Sequence, residues 1–126
     1  MSQQDIVEKI PPHSIEAEMA VLGSMLIDHD SISSAIEILK EAYFYKDAHR
    51  KIFSAVVKLF DQNKGVDIIT LIEELKKAGS LDEVGGPAYV TALSSSVPTA
   101  ANFLHYAKIV KEKMLVRNLL GVQIKI

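Results

Sequence analysis

Pro11-Pro12-His13-Ser14-Ile15-Glu16-Ala17-Glu18-Met19-Ala20-Val21-Leu22-Gly23-Ser24-Met25-Leu26 is where this 126-residue chain first commits to a fold. The two prolines bias the residues before them away from helical geometry. Ser14 is an N-cap residue by type, able to accept a hydrogen bond from a backbone N–H one turn on. Glu16 and Glu18 fall in the first turn, where the helix dipole favours carboxylates. Ile15, Met19, Leu22 and Leu26 then recur at spacings of four, three and four, the mark of one apolar helix face. Gly23 inside a helix costs about 1 kcal/mol relative to alanine, so a neighbour is expected to pack closely there. The stretch predicts a helix over about Ile15–Ile27.

Working outward, residues 1–10 carry no repeated apolar pattern and read as a flexible tail. After the first helix, Asp28-His29-Asp30-Ser31 has turn chemistry, with Asp30 or Ser31 able to cap a second helix whose face is Ile32, Ala35, Ile36 and Leu39. Tyr43-Phe44-Tyr45 is unlike a helix face, and Phe44 is expected to lock that link into the core. A third helix over about Asp47–Asn63 has a wide stripe of Ile52, Phe53, Val56, Val57, Leu59 and Phe60. Gly65 is expected to supply its left-handed end. Val66-Asp67-Ile68-Ile69 reads as an extended link, and Thr70 with Glu73 has capping-box spacing for a fourth helix closed by Lys76, Lys77 and Gly79. Gly85-Gly86-Pro87 opens a short fifth helix ending near Ser94. A last amphipathic helix begins near Thr99 and runs to the end of the sequence, which suggests a fragment of a longer chain. The fold class is therefore all-α: a compact helical globule of about five helices followed by a long projecting helix, with no internal repeat.

Composition limits the chemistry. The 48% apolar and 24% charged content is that of a globular domain, and 126 residues suffice for one core. With no cysteine, a disulfide scaffold, a thiolate metal site and a cysteine nucleophile are excluded. The N-terminus lacks signal-peptide character, and no apolar run reaches membrane-span length. Net charge is unevenly spread: residues 1–101 hold nine cations against fifteen carboxylates, a balance of −6. Residues 102–126 hold Lys108, Lys111, Lys113, Arg117 and Lys125 against Glu112, a balance of +4. Such asymmetry fits an interaction segment or a solvated helix face.

No catalytic constellation emerges. No glycine directly precedes a lysine, so a P-loop is excluded. His13, His29, His49 and His105 are not at metal-ligand spacing. Gly23-Ser24-Met25 lacks the second glycine of a nucleophile elbow. Asp28 and Asp30 read as turn and cap residues rather than an acid–base pair. No catalytic, cofactor-binding or metal-binding residue is assigned. What remains is an interaction module with one apolar and basic helix, whose candidate subunit-interface residues are Leu104, Ala107, Lys108, Lys111, Met114, Leu115 and Arg117.

Several motifs in register carry a resemblance. Pro11 to Glu18 with Val21-Leu22-Gly23-Ser24, then Tyr43-Phe44-Tyr45 with Ala48-His49-Arg50-Lys51-Ile52-Phe53, come first. Val66-Asp67-Ile68-Ile69-Thr70-Leu71, Leu81-Asp82-Glu83-Val84-Gly85-Gly86, Val97-Pro98-Thr99-Ala100-Ala101-Asn102 and Tyr106-Ala107-Lys108-Ile109-Val110 follow. Over roughly residues 11–120 the chain resembles the N-terminal domain of the bacterial replicative DNA helicase, the DnaB family. The resemblance implies a non-catalytic collar domain of a hexameric, ATP-driven helicase: residues 11–99 as the helical domain and 100–126 as the first arm of a truncated helical hairpin. It implies pairing of hairpins between subunits into a trimer of dimers, primase and a helicase loader as partners, DNA contacted through the parent ring, and a bacterial cytoplasmic location. ATP and magnesium would belong to a motor domain absent from this sequence. Two other readings remain open: the similarly folded helicase-binding domain of a primase or another fork adaptor, and a nucleic-acid-binding helical domain using the basic helix. A salt-dependent titration with single-stranded DNA separates the last from the others.

Overall fold

The first helix is the centre of the molecule because other helices surround it. In the computed structural model, α1 (Ile15–Ile27), α2 (His29–Ile38), α3 (Asp47–Asp61), α4 (Ile68–Lys77), α5 (Gly86–Ser94) and α6 (Phe103–Lys125) follow in order, with a 3-10 turn at Glu41–Tyr43. Backbone is described for residues 10–125 and side chains for 10–121. The tail expected over 1–10 lies outside the described residues except for Ile10, and Ile124 and Ile126 lie beyond the described side chains. Among the described residues there is no strand, as expected for an all-α domain.

Helix α1 packs on α2, α3, α5 and α6. Its expected face of Ile15, Met19, Leu22 and Leu26 is corrected by this arrangement. The fully buried side chains are Ala17, Ala20, Val21, Leu22 and Met25, while Ile15, Met19 and Leu26 are half-buried. A helix enclosed on several sides has no single inward face for periodicity to reveal. Its start is as expected: Ser14 Oγ accepts the Ala17 N–H at 3.2 Å. Gly23 is the close approach. A Cβ there would overlap the Leu93 carbonyl oxygen and Ser96 Oγ, so the glycine lets α1 and the end of α5 meet backbone to backbone.

Ile32, Ala35 and Leu39 of the second helix and its exit are buried, and Phe44 is fully buried against Phe53, with ring centroids 5.1 Å apart. Asp28, rather than Asp30 or Ser31, is the N-cap of α2, and Ser31 Oγ donates to its Oδ2 at 2.9 Å.

Two caps differ from expectation. The left-handed residue that closes α3 is Asn63, not Gly65: it stands just past the helix at φ 57°, which asparagine tolerates. The N–H groups of Asn63 and Lys64 then reach Phe60 O and Leu59 O, both at 3.0 Å, closing the helix two residues earlier. Helix α4 begins within the expected extended link. Asp67 is its N-cap, accepting the Thr70 N–H at 2.8 Å, while Thr70 Oγ1 accepts the Asp67 N–H at 2.9 Å. Thr70 is thus the third helical residue of the capping box, and Glu73 has no part in it. Asp67→Ala should therefore cost about 1 kcal/mol, read as a shift in the urea midpoint, and Glu73→Ala should leave that midpoint in place. The far end of α4 closes as expected on Gly79, at φ 72°.

Glu74 is buried on α4 and accepts Lys58 Nζ at 2.8 Å, tying α4 to α3. That ammonium holds the Glu74 carboxyl below the usual carboxylate range, against the opposing effect of burial. A depressed folded-state value stabilises the fold above the ordinary carboxylate range and is lost on acidification.

Candidate interaction surface

The position of α6 is set by a packed seam and a polar clamp. Phe103, Ala107, Val110 and Met114 recur at four, three and four and are all buried against α1 and α2. One turn further, Arg117 lies on the same side, half-buried. Its Nη1 donates to Pro12 O at 2.9 Å and its Nη2 to Tyr43 O at 2.7 Å. Its guanidinium lies 5.5 Å from the centre of the Tyr45 ring, whose stacking distance to His13 is 4.1 Å. Burial pushes the guanidinium down from its usual value and the nearby Glu18 carboxylate opposes the shift.

The link that Arg117 grips is held from beneath by Glu18. This buried carboxylate accepts the Tyr45 N–H at 2.7 Å on Oε2. Its Oε1 accepts the Lys46 N–H at 3.3 Å and lies 2.8 Å from His49 Nδ1. His49 is fully buried, and its Nε2 is 2.6 Å from Tyr89 Oη, to which Lys46 Nζ also donates at 3.3 Å. One polar cluster thereby joins α1, the 44–46 link, α3 and α5. Neither Glu18 nor His49 stood out in the sequence as a pair, because 31 positions separate them.

The remaining histidines do other work. His13 stacks on Tyr45, His29 packs against Phe60 and His105 against Tyr106. Among the described residues, no three histidine, aspartate or glutamate side chains are grouped to hold a metal ion. Ser24 is buried within α1. A cleft of about 640 Å³ opens between α3, α4 and the 3-10 turn. Among its charged side chains Lys58 pairs with Glu74 and Lys51 with Asp47, and Lys51 also pairs with Glu83 beyond the cleft.

The seven interface residues expected on α6 separate into two groups. Ala107 and Met114 are buried against the chain's own globule, and Arg117 is tied to two backbone carbonyls, so for these three an outward-facing position is corrected. Their spacing matches the seam that begins at Phe103, a residue the sequence reading left out. Leu104, Lys108, Lys111 and Leu115 are exposed. The sequence reading also left Val116, Leu119 and Leu120 outside the interface, yet they are 43%, 60% and 39% exposed beside Leu115 at 53%. A signal was present: between Met114 and Gly121 the only charge is Arg117, and Leu115, Val116, Leu119 and Leu120 form a broad apolar side. A contiguous exposed apolar patch marks an interaction surface.

Three comparisons bear on this surface. Residues 10–112 match the family model described as DnaB-like helicase N terminal domain. The chain is 46% identical over 119 residues to the replicative DNA helicase DnaB of Treponema pallidum, a match covering 94% of this chain and 27% of that protein. It superposes on the crystal structure of the N-terminal domain of DnaB helicase from Mycobacterium tuberculosis with a TM-score of 0.90 and 39% identity, covering 92% of this chain and 81% of that one. A DnaB-like replicative helicase whose structure is described with its interactions with primase matches with a TM-score of 0.76 and 26% identity, over 89% of this chain and 26% of that chain. The chain spans about a quarter or less of the length of the curated relatives it matches.

Proposed function

The chain belongs to the DnaB-like helicase N-terminal domain family, and on that premise we propose that it is the non-catalytic collar domain of a hexameric, ATP-driven helicase that unwinds DNA at the replication fork. In this reading residues 11–99 form the domain proper and 100–126 the first arm of a helical hairpin. The arms pair between subunits, three pairs build the collar, and the collar presents a surface to primase and to a helicase loader in the bacterial cytoplasm. DNA is handled by the parent ring. ATP and magnesium belong to a motor domain: this sequence has no Gly-Lys step to cradle phosphates, so no catalytic step is assigned to its residues.

The observation that carries the reading is the change in α6 at Met114. Before it the helix buries a seam on its own globule. After it Leu115, Val116, Leu119 and Leu120 stand uncovered. Burying a large apolar side chain is worth about 1.5–3 kcal/mol, so four together form a substantial drive to associate. Family relatives being replicative helicases sets this reading above the primase-domain one. Leu115→Asp tests it. The variant should keep its helical circular dichroism and sediment as monomer where the wild type self-associates. Loss of helicity and thermal stability together would mean that the face is part of the chain's own core.

A further inference from the structure

We propose that Glu18, His49 and Tyr89 form a relay that seats the 44–46 link for Arg117, so that the Tyr89 hydroxyl on α5 governs how firmly the end of α6 is held to the globule. Helix α6 packs on α1, α2 and the 3-10 turn, and its buried seam stops at Met114. Among the described residues beyond Met114 none is buried, and Arg117 supplies the hydrogen bonds to the globule, to Pro12 O and Tyr43 O. Its guanidinium also lies against the Tyr45 ring. The direction in which α6 leaves the globule therefore depends on one side chain and on the irregular segments it grips.

The link is fixed from the other side. Glu18 accepts the Tyr45 N–H on Oε2 and the Lys46 N–H on Oε1. Its carboxylate takes a third donor from His49, whose Nδ1 lies 2.8 Å from Oε1. A neutral imidazole offers one donor and one acceptor. With Nδ1–H given to Glu18, Nε2 accepts the Tyr89 O–H across 2.6 Å. The phenol oxygen in turn accepts from Lys46 Nζ at 3.3 Å. Every donor then points toward Glu18, and each bond polarises the next. Lys46 closes the circuit, with its backbone bonded to one end of the relay and its ammonium to the other. His49 is fully buried, so loss of the Tyr89 hydroxyl strips its Nε2 of a partner. That loss reaches the acceptor which holds the link. The Glu18 charge also attracts the Arg117 guanidinium directly. Tyr89 thus acts on Arg117 through their shared seat.

Native-state NMR of the whole chain tests the coupling from both ends. Nitrogen shifts of His49 in the wild type should place the ring proton on Nδ1. Tyr89→Phe removes the hydroxyl and keeps the ring. Amide exchange at Tyr45 and Lys46 should then quicken about tenfold, the equivalent of one hydrogen bond. The Arg117 Nη–H signals, separate while two carbonyls hold the fork, should merge as it turns. From the far end, Arg117→Met should quicken the same two amides and shift the His49 ring signals, because coupling between sites is reciprocal. Exchange at Leu75, buried on α4, should stay unchanged in both variants. A neutral ring with its proton on Nε2, Arg117 signals that ignore Tyr89→Phe, or His49 signals that ignore Arg117→Met would overturn the proposal. So would equal acceleration at Leu75, which marks a loss of global stability instead of a local coupling. If Tyr89→Phe does not fold, the Arg117→Met arm decides alone.

Discussion

Glu18→Ala is expected to lower the unfolding free energy by about 3 kcal/mol, since hydrogen bonds to a charged group are worth about 1.5–3 kcal/mol each. The carboxylate is 1% exposed and serves the Tyr45 N–H, the Lys46 N–H and His49 at once. Without it, the buried His49 and the part-buried Tyr45 and Lys46 N–H groups lose their acceptor, and a buried orphan costs about 1–3 kcal/mol. Glu18→Gln retains an acceptor oxygen and should cost clearly less. Urea unfolding monitored by circular dichroism reads the difference. In a double-mutant cycle with His49→Ala the two losses should fall well short of adding, since both act on one cluster. A change below about 1 kcal/mol for Glu18→Ala would mean that the cluster does not hold the 44–46 link. The same variant should loosen Arg117, whose two acceptors and stacking ring lie beside that link.

Gly23→Ala sets two effects against each other, and their sizes decide the sign. Alanine in a helix interior is favoured over glycine by about 1 kcal/mol. The added methyl, however, would overlap a backbone oxygen of Leu93, which cannot rotate away, as well as Ser96 Oγ. Overpacking of this kind costs about 1–3 kcal/mol, so Gly23→Ala should be net destabilising and Gly23→Val more so, as α1 and α5 are pushed apart. Gly121, with nothing within 4 Å of a built Cβ, is the control: there the same substitution should stabilise the helix. Thermal melts of the three variants check the order. A stabilised Gly23→Ala would place α5 farther from α1 than described here.

These two sites show what could be read from the chain alone. The close approach at Gly23 was legible because a glycine amid good helix formers needs a reason. The start of α1 at Ser14 and the end of α4 at Gly79 were legible because capping is local chemistry. Local signals failed where two residues could serve: Asn63 took the left-handed position assigned to Gly65, and Asp67 took the cap assigned to Thr70, one turn earlier in each case or nearly so. The Glu18–His49–Tyr89 cluster was invisible because its members meet only after α1, α3 and α5 have packed. On α6, the pattern identified an apolar and basic helix. It could not divide Ala107 and Met114, which face inward, from Leu104 and Leu115, which face out, because the sequence offers apolar residues on both sides.

The central claim is that α6 beyond Met114 is an interface. Methyl-resolved NMR of the leucine-labelled chain over a concentration series tests it most directly. Signals of Leu115, Leu119 and Leu120 should shift or broaden as concentration rises, while those of Leu22, Leu71 and Leu75, buried in the core, stay in place. Spectra that do not change with concentration, or core leucines that move together with the terminal ones, would contradict the account.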